Sequence, residues 1–370
     1  MSWLEKYTFP TEASLSSLPI ANRVYNRVIG RTLSHGTTTA AYYATIDVAS
    51  TNLLADLCLQ KGQRALVGRC CMDSLSPDYY RDESALQSLQ RTEECIHHVR
   101  SIDPKFELVS PIITPRFAPS CSSELLHGLG NLARETDLPV QTHISENHGE
   151  IQLVKDLFPK SKHYTDVYDA HGLLGPKTIL AHCVHLSDEE RDVIKARSTK
   201  VSHCPTSNSS ITSGAARVRW LLDAGIDVGL GTDMSGGYSP SVLEATRQAI
   251  LVSRHVAMAQ KSESETERVK LSVEEVLYLA TRGGAKVVGM ADRIGGFEVG
   301  MEWDAQLVGL DRVSDDGEME TGGREGPGGP VDVFGWENDE DKVAKWVFNG
   351  DDRNTRKVWV KGRLVHERKD

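Results

Sequence analysis

Between residues 34 and 231 the sequence alternates short β-branched stretches with amphipathic helical ones, and no other feature restricts the fold so strongly. Strand patterns fall at 34–46, 65–72, 107–115, 138–144, 177–182, 199–203 and 226–231. Helical periodicity fills the intervals, around Leu53 to Leu59 and then at 82–101, 121–136, 147–157, 187–196 and 214–224. Strands separated by helices of this length predict an α/β fold, a parallel sheet with crossover helices. The expected architecture is a (β/α)₈ TIM-type barrel, which needs eight strands and begins on one. This chain gives seven strand patterns and begins on a helix over 12–33, where Ala13, Leu15, Leu18, Ala21, Val24 and Val28 share a face. The expectation is a barrel whose first strand is missing from the front.

After the last strand pattern come two strongly helical stretches, 239–260 and 273–287. A β pattern with turns occupies 294–309, and another 345–366, around Trp346-Val347-Phe348, Lys357-Val358-Trp359-Val360 and Leu364-Val365. Between them, 311–342 is acidic and glycine-rich, with Gly326-Pro327-Gly328-Gly329-Pro330 at its centre, and reads as a mobile loop. The expected division is a barrel domain over 1–293 and a small C-terminal β unit over 294–370 that carries the loop.

Charge narrows the partners. The net charge of −10, from 42 basic and 52 acidic residues with no basic run, argues against a nucleic-acid or anionic-membrane surface. No apolar stretch approaches the length of a membrane span, and Met1-Ser2-Trp3-Leu4-Glu5-Lys6 is no signal peptide. Seven cysteines, an odd number without C-x-x-C spacing, read as reduced thiols of a cytoplasmic protein.

Barrel enzymes carry their chemistry at the C-terminal ends of the strands. Those positions hold Arg116-Phe117, His143 with Glu146 three residues on, His182, His203 and Asp233. Each alone reads as a satisfied structural residue. Together they exceed what packing explains, because buried groups of these types are costly without partners. Histidine and aspartate are the ligands of a catalytic zinc, which activates water near neutral pH. Other signals carry less. Gly128-Leu129-Gly130-Asn131-Leu132-Ala133 matches a dinucleotide fingerprint but lies inside a helical pattern with no strand before it. Cys204 beside His203 would face away from it on a strand. The H-x-E…P-C-x-x-C signature of cytidine-type deaminases is absent. His97-His98 read as solvated residues of an amphipathic helix.

The segments SHGTTTAAYYATI (34–46), TPRF (114–117), QTHISEN (141–147), AHCVHLS (181–187), SHCPTSNS (202–209) and GLGTDMSGGY (229–238) together resemble the guanine deaminase family, zinc enzymes of the amidohydrolase superfamily. The KYTFPTE run at 6–12, FEVG at 297–300 and GDDRN at 350–354 extend the resemblance over nearly the whole chain, the 311–342 loop excepted. It implies that His143 and Asp233 are zinc ligands, that Glu146 shuttles protons, and that His182 hydrogen-bonds at the reacting water or substrate. Arg116 and Phe117 would recognise and stack the purine, and His143, Glu146 and Asp233 would also border it. The implied reaction is zinc-dependent hydrolysis of guanine to xanthine and ammonia, with zinc the cofactor and a cytoplasmic homodimer the expected assembly. Two departures stand out. The family's Ala-His-Gly is here Ala181-His182-Cys183, and its first-strand His-x-His with a following glutamine has no counterpart in this sequence. Two rival expectations follow: a related amidohydrolase acting on another purine, pterin or triazine, and a catalytically silent form that serves as an interaction partner.

Overall fold

The structure, a computed structural model of the 370 residues, describes residues 3–314, 317 and 329–369. Seven main barrel strands follow one another in chain order: β1 (Thr39–Tyr43), β2 (Arg64–Gly68), β3 (Val109–Pro111), β4 (Val140–Ile144), β5 (Thr178–His182), β6 (Lys200–His203) and β7 (Val228–Leu230), and the paired short strands Cys70–Cys71 and Thr114–Pro115 continue β2 and β3 after a break. β1 to β3 form one ladder and β4 to β7 another. Bridges from Ile113 to Val140 and from Phe117 to His143 join the two. Every strand lies within a few residues of its sequence pattern, and the α/β barrel architecture stands. Among the described residues, no strand pairs with the outer edge of β1 or of β7.

The helices that matter to the site are α1 (Phe9–Ser14), α2 (Leu18–Ser34), α3 (Val48–Lys61), α4 (Ala85–Ile102), α5 (Ser123–Thr136), α6 (His148–Leu157), α7 (Tyr164–Ala170), α8 (Asp188–Ala196) and α9 (Pro205–Ser210). Alternation sorts the side chains of β4. Val140 and Ile144 pack into the helix-facing core with Leu129, Tyr168 and Ile194. Gln141 and His143 therefore face the other way, into the barrel. There Gln141 Nε2 donates to the Tyr42 carbonyl oxygen at 2.9 Å and to Thr114 Oγ1 at 3.0 Å, fixing the register of the lumen.

Three expectations change. The helix expected over 12–33 is two helices, α1 and α2, broken where Ser17 turns extended just ahead of Pro19, which occupies the first turn of α2. Trp346-Val347-Phe348, expected as a strand, lies in the helix Asp339–Asn349. Asn338 and Asp341 form a capping box there and the first turn is acidic, so helix-start chemistry overrides a short apolar run. Of the loop expected at 311–342, residues 315–316 and 318–328 lie outside the described residues. Its flanks pair as the short parallel strands Asp311–Arg312 and Asp332–Val333. The rest of the tail is a three-stranded antiparallel sheet of Ala305–Val308, Thr355–Val360 and Arg363–Glu367. The buried Arg64, at the start of β2, pairs with Glu302 at 2.7 Å and Asp304 at 3.0 Å and so pins the tail to the barrel.

Candidate active site and metal centre

His143, at the end of β4, is held from both sides of its ring. Its Nδ1 donates to the Arg116 carbonyl oxygen at 2.6 Å, which leaves Nε2 without a proton. Tyr43 packs against the ring, tilted at 53° with centroids 4.5 Å apart. Burial, then the neighbouring His182, hold its pKa well below the ordinary histidine range. His143 thus presents a neutral imidazole lone pair to the barrel mouth.

His182 ends β5 with φ of +75°, a left-handed conformation that swings the side chain out of strand alternation. Its Nδ1 lies 2.8 Å from Asn208 Oδ1, on α9, so Nδ1 donates and Nε2 carries the lone pair. That Nε2 is buried and without a hydrogen-bond partner. It lies 3.8 Å from Asp233 Oδ2. Burial pulls the His182 pKa down, but the Glu146 and Asp233 carboxylates outweigh it and the net shift is upward. Asp233, after β7, also takes a left-handed φ of +43°, and its carbonyl oxygen accepts from the Gly237 N–H at 2.7 Å.

Glu146 follows a third left-handed residue, Ser145 at +49°. The helix α6 begins directly after it, with Asn147 as cap accepting from the Glu150 N–H. The buried Glu150 accepts from the Glu146 N–H at 2.9 Å and from the Tyr164 hydroxyl at 2.8 Å, so the main chain at Glu146 is fixed. The Glu146 side chain accepts from Ser213 Oγ at 3.0 Å and stands 3.6 Å from His182 Nδ1.

Among the described residues, His143, His182 and Asp233 form one group whose donor atoms all lie within 4.8 Å of one another. Two imidazoles, each with its Nδ1 hydrogen-bonded elsewhere, and a carboxylate make a donor set suited to zinc, which would compete at His182 Nε2 with the proton that the two carboxylates favour there. The orphaned Nε2 of His182 is the atom that a metal or its ligand would satisfy. Asn208→Leu should release the His182 ring and lower zinc affinity by about 10–100-fold, the usual cost of losing such a supporting partner. Dialysis against graded chelator would show it, and unchanged affinity would remove Asn208 from the site.

The Arg116 guanidinium donates from Nη1 to Glu12 Oε2 at 2.6 Å and from Nη2 to Glu12 Oε1 at 3.1 Å. Phe117 is largely buried and pairs through its backbone with His143. His203 alternates in step with Val201, which belongs to the helix-facing core, and burial pushes its pKa down to about 3. Its ring nitrogens have no partner, and it does not join the metal group. Cys204, like the other six cysteines, is a free buried thiol. His98 contacts Asp56 at 2.8 Å rather than standing free in solvent. Sequence reasoning did not single out Glu12, Asn208 or Ser213. The first two lie inside the quoted runs at 6–12 and 202–209, whereas nothing local marks Ser213.

The chain belongs to the amidohydrolase family, whose sequence profile matches residues 2–365. Its relatives in that family include guanine deaminases. A probable guanine deaminase of Schizosaccharomyces pombe is 51% identical over 365 residues, which cover 99% of this chain and 66% of that protein. The guanine deaminase of Homo sapiens is 41% identical over 371 residues, covering 99% of this chain and 77% of that protein. The crystal structure of guanine deaminase from C. acetobutylicum with bound guanine in its active site superposes with a TM-score of 0.86 at 37% identity, over 99% of this chain and 80% of that one.

Proposed function

We infer that this chain carries the site of a zinc-dependent guanine deaminase, which hydrolyses guanine to xanthine and ammonia. The observation that carries the reading is the convergence of the His143, His182 and Asp233 donor atoms beside Glu146. It occurs in a fold that matches a guanine-bound deaminase along nearly its whole length. His143 and Asp233 would hold the metal, with His182 against it. When bound, zinc supplies a Lewis acid that makes water nucleophilic near neutral pH.

The protein's own residues do the rest. The Asp233 carboxylate is placed to accept a proton from the attacking water. Glu146, anchored through its backbone by Glu150 and through Oε1 by Ser213, takes one proton of the attacking water to the ring nitrogen beside the amino-bearing carbon and then relays the second, held by Asp233, to the departing amine. His182, fixed by Asn208, donates or accepts at the same reacting oxygen or at the substrate. Arg116 offers N–H groups to the carbonyl oxygen and ring nitrogen of guanine, beside Phe117. The free buried cysteines support a reducing, cytoplasmic setting. The homodimer rests on the family resemblance alone.

The test is loss of guanine followed by ultraviolet absorbance, run beside zinc content. Arg116→Lys keeps the charge and loses the planar fork. It should weaken guanine by about tenfold, near the lower end of the roughly 1.5–3 kcal/mol of a charge-assisted contact, and leave zinc unchanged. Zinc falling in step with activity would make Arg116 structural.

A further inference from the structure

Arg116 meets a carboxylate that the reaction itself does not call for. Glu12 sits on α1 in the KYTFPTE segment, far in sequence from every other residue of the site. It takes the Arg116 fork end-on, one nitrogen to each oxygen. Its Oε2 also accepts from the Tyr80 hydroxyl at 2.8 Å. Below the pair lies Phe9, fully buried, with the Arg116 guanidinium carbon 5.4 Å from its ring centroid and Tyr80 at 5.9 Å between centroids. Both charged side chains are largely shielded from solvent, at 11% and 22% exposure for Arg116 and Glu12. An exposed surface pair would contribute little, but this one is caged by aromatic rings and a third hydrogen bond.

The geometry has two consequences. A guanidinium has five N–H donors, and the end-on pairing uses two, so three remain directed away from Glu12. The orientation of the free donors is therefore dictated by the carboxylate. Secondly, the pair is close to electrically neutral, so the purine site meets a donor array rather than a net cation. Guanine is a neutral base near neutral pH, whereas its deamination product xanthine is the stronger acid and loses a proton more readily. An unpaired arginine would favour the xanthine anion. A paired one does not.

We propose that Glu12 is the positioning and charge-balancing residue of the purine site, holding Arg116 so that the site prefers neutral guanine over anionic xanthine. The proposal rests on the reading of Arg116 as the purine-binding group. Arg116 also accepts the His143 Nδ1 proton through its own carbonyl oxygen, so one residue links the purine-binding side chain to the metal-binding one.

The experiment is equilibrium dialysis of radiolabelled guanine and xanthine against the full chain, with chelator present so that turnover does not consume the ligand. Binding is referred to folded protein measured by circular dichroism. Glu12→Gln should weaken guanine about tenfold and strengthen xanthine, lowering the guanine-to-xanthine preference by about 100-fold. The gain for xanthine should grow as pH rises through its deprotonation and vanish at acidic pH, a profile that a packing role would not give. Glu12→Asp, which keeps the charge, should stay within about threefold of the unaltered preference. A preference unchanged in Glu12→Gln, or lost equally in Glu12→Asp, overturns the proposal. Arg116→Lys leaving guanine affinity intact would instead refute the role of Arg116 on which it rests, and the two failures are told apart by which variant shows them.

Discussion

A strand carrying His-x-His, added ahead of Met1 so that it pairs with the free edge of β1, should raise zinc affinity by at least ~100-fold and bring guanine turnover up with it. The residues that could hold a metal are His143, His182 and Asp233, and His182 is already engaged by Asn208 and faces both acidic side chains. Two further imidazoles from the lumen face of a new strand would let zinc bind without drawing on His182. Losing a mere supporting partner costs 10–100-fold in metal affinity, so gaining two direct ligands should exceed the upper end of that range. The same strand would cover the edges of β1 and β7 that have no partner strand among the described residues, edges of a kind that invites association with other chains. Zinc per chain after chelator dialysis, turnover by absorbance and elution volume would be measured on both forms side by side. One tightly held zinc in the unextended 370-residue chain, with robust turnover, would sink the idea.

In that extended form, Glu146→Gln should keep its zinc and lose turnover by about 10²–10⁴-fold, the usual contribution of a general acid-base group. Glutamine has nearly the same shape and still offers an oxygen to Ser213 Oγ, so the packing at the start of α6 survives. It cannot cycle a proton between water and the leaving amine. Retained zinc with lost turnover assigns Glu146 to proton transfer. Zinc lost in proportion would place Glu146 among the groups that hold the metal.

Much of this was legible in the residues because strand alternation and barrel topology are both local rules. His143 could be placed inward from the parity of Val140 and Ile144, and the structure agrees. What misleads at His203 is its place at a strand end, since its parity with Val201 turns it towards the helices. Parity itself would have misplaced His182, which reaches the site only through a left-handed residue that no pattern announces. Asn208, Ser213 and Glu12 act from a distance of 26, 67 and 104 residues from the groups they bind, and single-sequence spacing has no access to such pairs. In the tail, Trp346-Val347-Phe348 is too short a run to separate strand from helix by periodicity. The deciding signal was the capping box at Asn338 and Asp341, which lies outside the run.

The left-handed backbone at Ser145, His182, Cys183 and Asp233 sets an order of events in folding. For residues with a side chain that conformation costs roughly 1–2 kcal/mol each, and nothing local at these positions offsets it. Only the assembled neighbours hold them there: the β4–β5 ladder, the α6 cap and the turn closed by Gly237. During refolding, helices and strand pairs can therefore form while the mouth is still unmade, and metal uptake should trail the recovery of secondary structure. Heating reverses the sequence. The site should loosen before the core of β4 to β7 does, so a metal bound there should be released before circular dichroism registers any loss.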